Sequence, residues 1–228
     1  MTRNVLQVPA LAGDAFYLLL HDKNSGKAHL APRITHLSLG AAMLGELYFL
    51  GLIGVQPRRG QEGVVVLPER YPVMPDVVQH VALEEIGSET QPPSIWMRLL
   101  GPLLLEPVAG RLERTGWIEA LKTLRVELPA GLTLTRPRRW RPCSPMAAET
   151  TALHLDGLLR RELSFQEDEL LLAGLAYACG LHRHVFPFGT RAHAERIAQE
   201  AGGLPLALVG LVRELHVSVN RIVSTSRH

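Results

Sequence analysis

The densest run of chemically capable side chains is Arg136-Pro137-Arg138-Arg139-Trp140-Arg141-Pro142. Between Leu128 and Ala148 there are four positive charges and no negative one. Guanidinium groups at that density suit an anionic surface. Near such a membrane each basic residue contributes about 1 kcal/mol, and tryptophan favours the interfacial layer. Arg136, Arg138, Arg139, Trp140 and Arg141 are therefore the anionic-lipid-binding candidates. The interleaved prolines are expected to keep the segment a loop, so that the guanidinium groups splay toward a flat charged surface. The plainer reading is a solvated arginine-rich loop that caps neighbouring helix C-termini. A nucleic-acid interface would call for a recognition helix or an aromatic platform beside the charge, and none accompanies this run.

Other ligand-type residues are sparser. Cys179, His182, His184 and His193 fall together, but C-x2-H-x-H followed by a distant histidine is not the paired spacing of a zinc site. Imidazoles meeting a helix C-terminus explain them more simply. Asn24-Ser25-Gly26-Lys27 hints at a phosphate loop, yet His21 stands where its first glycine belongs and Ala28 where its hydroxyl belongs. Glu84-Glu85 and Glu167-Asp168-Glu169 are neighbours on helices, and adjacent residues point to different faces, so they fail as an acid/base pair. With no nucleophile elbow, zincin or dinucleotide motif present, the sequence implies no catalytic residue, no metal and no cofactor. A non-enzymatic protein is the expectation.

The elements around these residues are mostly helical. Leu37 to Val55 reads LSLGAAMLGELYFLGLIGV, with Glu46 its one charge. A bilayer span would need about 20 apolar residues and would hold that carboxylate at midplane at a cost of roughly 2.5–3.5 kcal/mol. A buried helix over Leu37–Leu50, stopped by Gly51 and followed by a strand that turns back into Val64–Leu67, fits better. Glu46 must then pair with an arginine or accept backbone or hydroxyl hydrogen bonds, and Arg98 is one candidate. Asp76 starts a helix that ends at Gly87. Another begins after Pro92-Pro93 and is expected to stop at Pro102, with a short helix from Glu106 to Thr115 closed by Gly116. Trp117–Leu128 returning through Leu132-Thr133-Leu134 is a hairpin. Helical spacing then covers Thr150–Leu163, Glu167–Cys179, Thr190–Ala201 and Pro205–Val217, with Ser164-x-x-Glu167 as a capping box.

The 228 residues, 46% apolar and 20% charged, carry a formal net charge of only +2. No linker or repeat divides them, which implies one mainly α globular domain over residues 1–228 with peripheral β-hairpins. Two cysteines far apart in sequence and no charged, apolar leader fit a cytoplasmic protein, with a peripheral place on the membrane open to it. The hairpin at 117–134, with Leu121, Leu124, Val126 and Leu132, has edges and an apolar face that invite pairing with a second copy. A homo-oligomer, an anionic membrane surface and an unidentified protein are the expected partners, and nucleic acid is not. The alternative is a soluble protein-interaction module without lipid binding.

Three stretches, in order from about Ala15 onward, resemble the Golgi phosphoprotein 3 family. Leu18-Leu19-Leu20 with the Asp22 to Gly26 turn is similar to its opening motif. Ala41-Ala42-Met43-Leu44-Gly45-Glu46-Leu47 before Gly51 is similar to G-x-M-L-x-E-L-x-x-x-G. Glu89-Thr90-Gln91-Pro92-Pro93 before Trp96 is similar to its E-T-Q-P-P, and Arg111-Leu112 to Gly116 fits a helix ending in K-G-x-L. The resemblance implies a largely helical protein that sits on membranes, and a hairpin used for oligomerisation. In eukaryotic members a tryptophan and three basic residues grip a phosphoinositide head group. Those positions correspond to Ala31, Gly40, Pro102 and Leu105, so that pocket does not carry over. The arginine-heavy composition looks more like the family's bacterial, mostly actinobacterial, branch.

Overall fold

From Leu37 to Leu47 the chain offers water only Ser38 and Glu46, and this stretch is the heart of the helix around which the others gather. A computed structural model describes residues 8–58, 61–121, 125–127, 133–135, 139–160, 163–186 and 191–225. Helix α2 (Pro32–Phe49) is buried at every position from Leu37 to Leu47. It starts one turn earlier than the apolar run, because Pro32 at its first turn has φ preset for a helix and no N–H to leave orphaned. Gly51, at φ +67°, closes it. Among the described residues, no helix is long and apolar enough to cross a membrane.

Helices α1 (Ala12–Leu20), α4 (Pro93–Arg114), α6 (Glu167–Ala178) and α9 (Leu206–Thr225) pack around α2. The α2–α4 contact is the closest. A Cβ on Gly40 would lie 2.2 Å from the Met97 carbonyl oxygen, and one on Gly101 would lie 1.9 Å from that of His36. The two backbones touch where neither helix has a side chain.

The stop expected at Pro102 does not occur. Helix α4 runs through Pro102 and Pro107 to Arg114, and the separate short helix from Glu106 is its last part. An interior proline costs a helix about 3 kcal/mol by removing one N–H and crowding the carbonyl four residues back. Here Pro102 is exposed, so water can reach the freed carbonyl, while Trp96, Met97 and Leu100 before it and Leu104, Val108 and Leu112 after it are buried on one side. Burial of both segments outweighs the break.

Helix α3 (Val77–Ser88) begins at the expected Asp76, which forms a reciprocal capping box with Gln79. The second box falls two residues later than Ser164-x-x-Glu167. Gln166 caps α6, and its backbone N–H donates to Glu169 Oε2 at 2.8 Å. Helix α5 (Pro145–Arg160), the short α7 (His182–Val185) and α8 (Arg191–Glu200) complete the helices.

Strands β1 (Gly54–Arg58) and β2 (Gln61–Val66) form the first antiparallel hairpin. In the second, β4 (Arg125–Glu127) pairs with β5 (Thr133–Thr135), as expected, and β3 (Ile118–Leu121) pairs with β6 (Arg139–Pro142). Arg139–Pro142 is therefore a strand and not a loop. Its side chains alternate: Arg139 and Arg141 face out, Trp140 and Pro142 face in. Pro142 is tolerated because it ends the ladder, opposite Ile118. On β6's other side the Asp22 to Gly26 turn closes against its backbone. Gly26 has φ +63°, and a Cβ there would come within 1.8 Å of the Trp140 carbonyl oxygen.

Candidate functional site

The buried charge of α2 is answered from three other helices. Arg111, on the inner face of α4, donates from Nη1 to Glu46 Oε1 at 2.9 Å and from Nη2 to Glu46 Oε2 at 3.0 Å. Its Nε reaches Asp14 Oδ1 of α1 at 2.8 Å, and Nη1 also reaches Asp76 Oδ2 at 2.8 Å. Gly13 N and Gln79 Nε2 donate to the remaining lone pairs of Glu46 at 2.9 and 3.0 Å. Arg98 is not the partner; it lies on the opposite side of the same helix. The spacing Met97, Leu100, Leu104, Val108 of the buried row continues to Arg111, and that periodicity is the sequence signal for the true partner. One guanidinium fork thus ties α1, α2, α4 and the cap of α3, a structural use of Glu46.

Burial pushes the Asp14 carboxyl up to about 6, against the pull of Arg111. Burial also holds the His21 imidazole down at about 4, with Nδ1 2.7 Å from the Tyr17 carbonyl oxygen. The two act oppositely on stability. Between its unfolded value and about 6, native Asp14 keeps a proton that the unfolded chain releases, so stability falls as pH rises through that window. Between about 4 and 6.5 the unfolded chain binds a proton that native His21 does not, so stability rises with pH. In Asp14→Asn only the histidine effect remains. Relative to wild type its Tm should fall by several degrees more between pH 7 and pH 4.5, from an Asp14 contribution of about 2 kcal/mol over that window. His21→Gln should shift the opposite way. Parallel Tm profiles for all three proteins would contradict this assignment.

The chemistry open to solvent lies on the other side of α4. A cleft of about 430 Å³ opens between α2, α4 and α9, and Arg33, His36, Arg98, Pro102, Ser218 and Arg221 line it. Among the described residues that line it are three arginines and no Asp or Glu. Among the described residues no acidic side chain pairs with Arg33, Arg98 or Arg221, and all three arginines are exposed. The first turn of α2, with no acidic residue, adds its dipole on the same side. Such a cleft attracts an anion and offers planar forks for phosphate or carboxylate oxygens.

The four head-group positions lie around this region. Ala31 caps α2, Pro102 lines the cleft and Leu105 packs against the core. Gly40 is pressed onto Met97, so no side chain can grow there without separating the helices. The arginines of the cleft stand at other positions. Arg33 and Arg98 each precede a cleft-lining residue by four, Leu37 and Pro102, a helical spacing visible in the sequence. The approach of Arg221, more than a hundred residues later, is a tertiary fact with no local signal.

Of the candidates in the 136–141 run, Arg136 and Arg138 lie outside the described residues. Arg139 and Arg141 are exposed on β6, and Arg141 pairs with Glu119 across the ladder at 2.7 Å. Trp140 is only 7% exposed and belongs to the core, so its ring is not a free interfacial anchor. The histidine group is dispersed: His182 stacks on Tyr177 at 4.3 Å and His184 on His29 at 5.2 Å. Cys179 is buried, and burial pushes its thiol up to about 11. Among the described residues no three His, Cys, Asp or Glu side chains are grouped to hold a metal ion.

The chain is thus a helical bundle centred on α2, with Asp14, Glu46 and Arg111 paired inside and Arg33, Arg98 and Arg221 lining an open cleft. The family model described as Golgi phosphoprotein 3 (GPP34) matches residues 11–215, and the chain belongs to that family. No curated protein matches the chain.

Proposed function

We propose that this protein is a non-enzymatic, peripheral membrane-associated adaptor that binds anionic lipid through a basic face. The observation that carries this reading is the cleft itself, which Arg33, Arg98 and Arg221 line with no carboxylate of the described residues to neutralise them. Arginines that serve the fold are paired, as Arg111 is. Unpaired ones grouped round an opening favour an anionic ligand. Arg139, exposed on β6, and Arg141, exposed beside Glu119, offer a second basic patch.

Co-sedimentation with phosphatidylcholine vesicles, with and without phosphatidylserine, tests it. Binding should need the anionic lipid and weaken with salt, as the Debye length shrinks from about 10 Å at 0.1 M to 3 Å at 1 M. Changing Arg33, Arg98 and Arg221 together to Ala should lower partitioning by about two orders of magnitude, at about 1 kcal/mol per basic residue near the surface. Tm should hold, because all three side chains are exposed. Failure of the wild-type protein to pellet with anionic vesicles at low salt would overturn the reading and leave a soluble protein-interaction module.

The same reading includes self-association through the second hairpin, whose β4–β5 ladder pairs with no third strand among the described residues. Replacing residues 122–138 by a short Gly-Ser loop, which keeps β3, β6 and the buried Trp140, should turn a dimer or larger assembly into a monomer at micromolar concentration. Light scattering that reports a monomer for the intact chain, or assembly of the deletion variant, would remove this part.

A further inference from the structure

The outward face of α4 carries apolar groups that the core does not use. Leu99 and Leu103, one helical turn apart, are 45% and 41% exposed, whereas Met97, Leu100 and Leu104 are fully buried. Arg98 and Pro102, each one residue before a leucine, line the cationic cleft. The leucines therefore stand in the row next to the cleft, at its rim. Glu106, exposed one turn beyond Leu103, bounds the face at its far end. Exposed aliphatic side chains in the row beside a cleft lined by three arginines match a particular occupant. Arginine heads suit the phosphate layer of an anionic bilayer, and leucines the acyl boundary just beneath it. An acidic soluble partner would satisfy the arginines and leave the leucines in water.

We propose that Leu99 and Leu103, with Pro102 between them, enter the acyl boundary of an anionic membrane while Arg33, Arg98 and Arg221 lie among the phosphates around them. The proposal rests on the membrane reading above and assigns the docking face to α4 and not to the hairpin. It predicts two components of binding, an electrostatic one that salt weakens and an apolar one that salt leaves.

The test uses the full chain and vesicles of equimolar phosphatidylcholine and phosphatidylserine. Changing Leu99→Ser and Leu103→Ser together should lower partitioning about tenfold and abolish the binding that survives high salt, with Tm unchanged. Arg139→Ala with Arg141→Ala should leave that salt-resistant part intact. As a direct readout, Cys143→Ser removes the exposed thiol, and Leu103→Cys then takes a polarity-sensitive fluorophore. Its emission should rise on the vesicles and be quenched by bromine on the acyl chains. Wild-type binding combined with an unaffected double-serine variant and an unquenched label would overturn the α4 face while the membrane reading stands. Absence of wild-type binding would overturn both.

Discussion

Arg111→Ala should destabilise the fold by about 3–5 kcal/mol, because it removes the one cation from a buried cluster and leaves its acids uncompensated. Asp14 and Glu46 are 6% and 2% exposed; Glu46 would keep Gly13 N and Gln79 Nε2 as donors, while Asp14 would lose the Arg111 Nε that donates to it. For a domain of this size the change corresponds to a Tm lower by roughly 6–20 °C. Arg111→Lys should recover little of it. An ammonium is a point charge and cannot reproduce a fork that reaches Asp14, Glu46 and Asp76 at once. Urea unfolding followed by circular dichroism measures both variants. A loss under about 1 kcal/mol for Arg111→Ala would mean that the cluster is no structural tie.

Gly101→Ala is expected to cost about 3 kcal/mol, at the upper end of overpacking effects. The added methyl would meet the His36 carbonyl oxygen at 1.9 Å, and backbone cannot swing aside as a side chain can. Relief requires α2 and α4 to separate, which shifts His36, Arg33 and Arg98 together and should weaken anionic-vesicle binding as well. Gly110→Ala on the same helix provides the contrast. Its Cβ would find only Arg114 Nη1, at 3.7 Å, so helix propensity should prevail with a gain of up to about 1 kcal/mol. Equal and small effects at the two glycines would refute the close crossing of α2 and α4.

Short-range patterns were sound guides in this chain. The apolar run around Glu46 is the central helix, Asp76 caps α3, and Gly51 and Gly116 close α2 and α4 with positive φ. Errors arose where a local rule met a tertiary one. Pro102 stops an isolated helix, but not one whose two halves bury six large side chains on α2 and its neighbours. The prolines of the 136–142 run suggested a loop, yet the alternation Arg139, Trp140, Arg141 is a half-buried strand once β3 lies beside it. Arg98 is one candidate partner for Glu46 in the sequence, whereas the buried row Met97, Leu100, Leu104, Val108 leads to Arg111. The cleft was the least legible feature. Its cations come from three helices, and only the folded chain brings the first and the last of them together.

The ion cluster also has a timetable. Asp14 and Arg111 are 97 residues apart, so at about 5–20 residues per second the ribosome delivers the arginine roughly 5–20 s after the aspartate. During that interval the nascent chain holds α1, buried along its whole length in the finished fold, and α2 with nothing yet to cover them. Asp14 and Glu46 are then hydrated anions on two greasy segments, and they oppose premature collapse of one onto the other. The same carboxylates that need Arg111 in the native state therefore leave two unpaired charges on the first helices until it arrives.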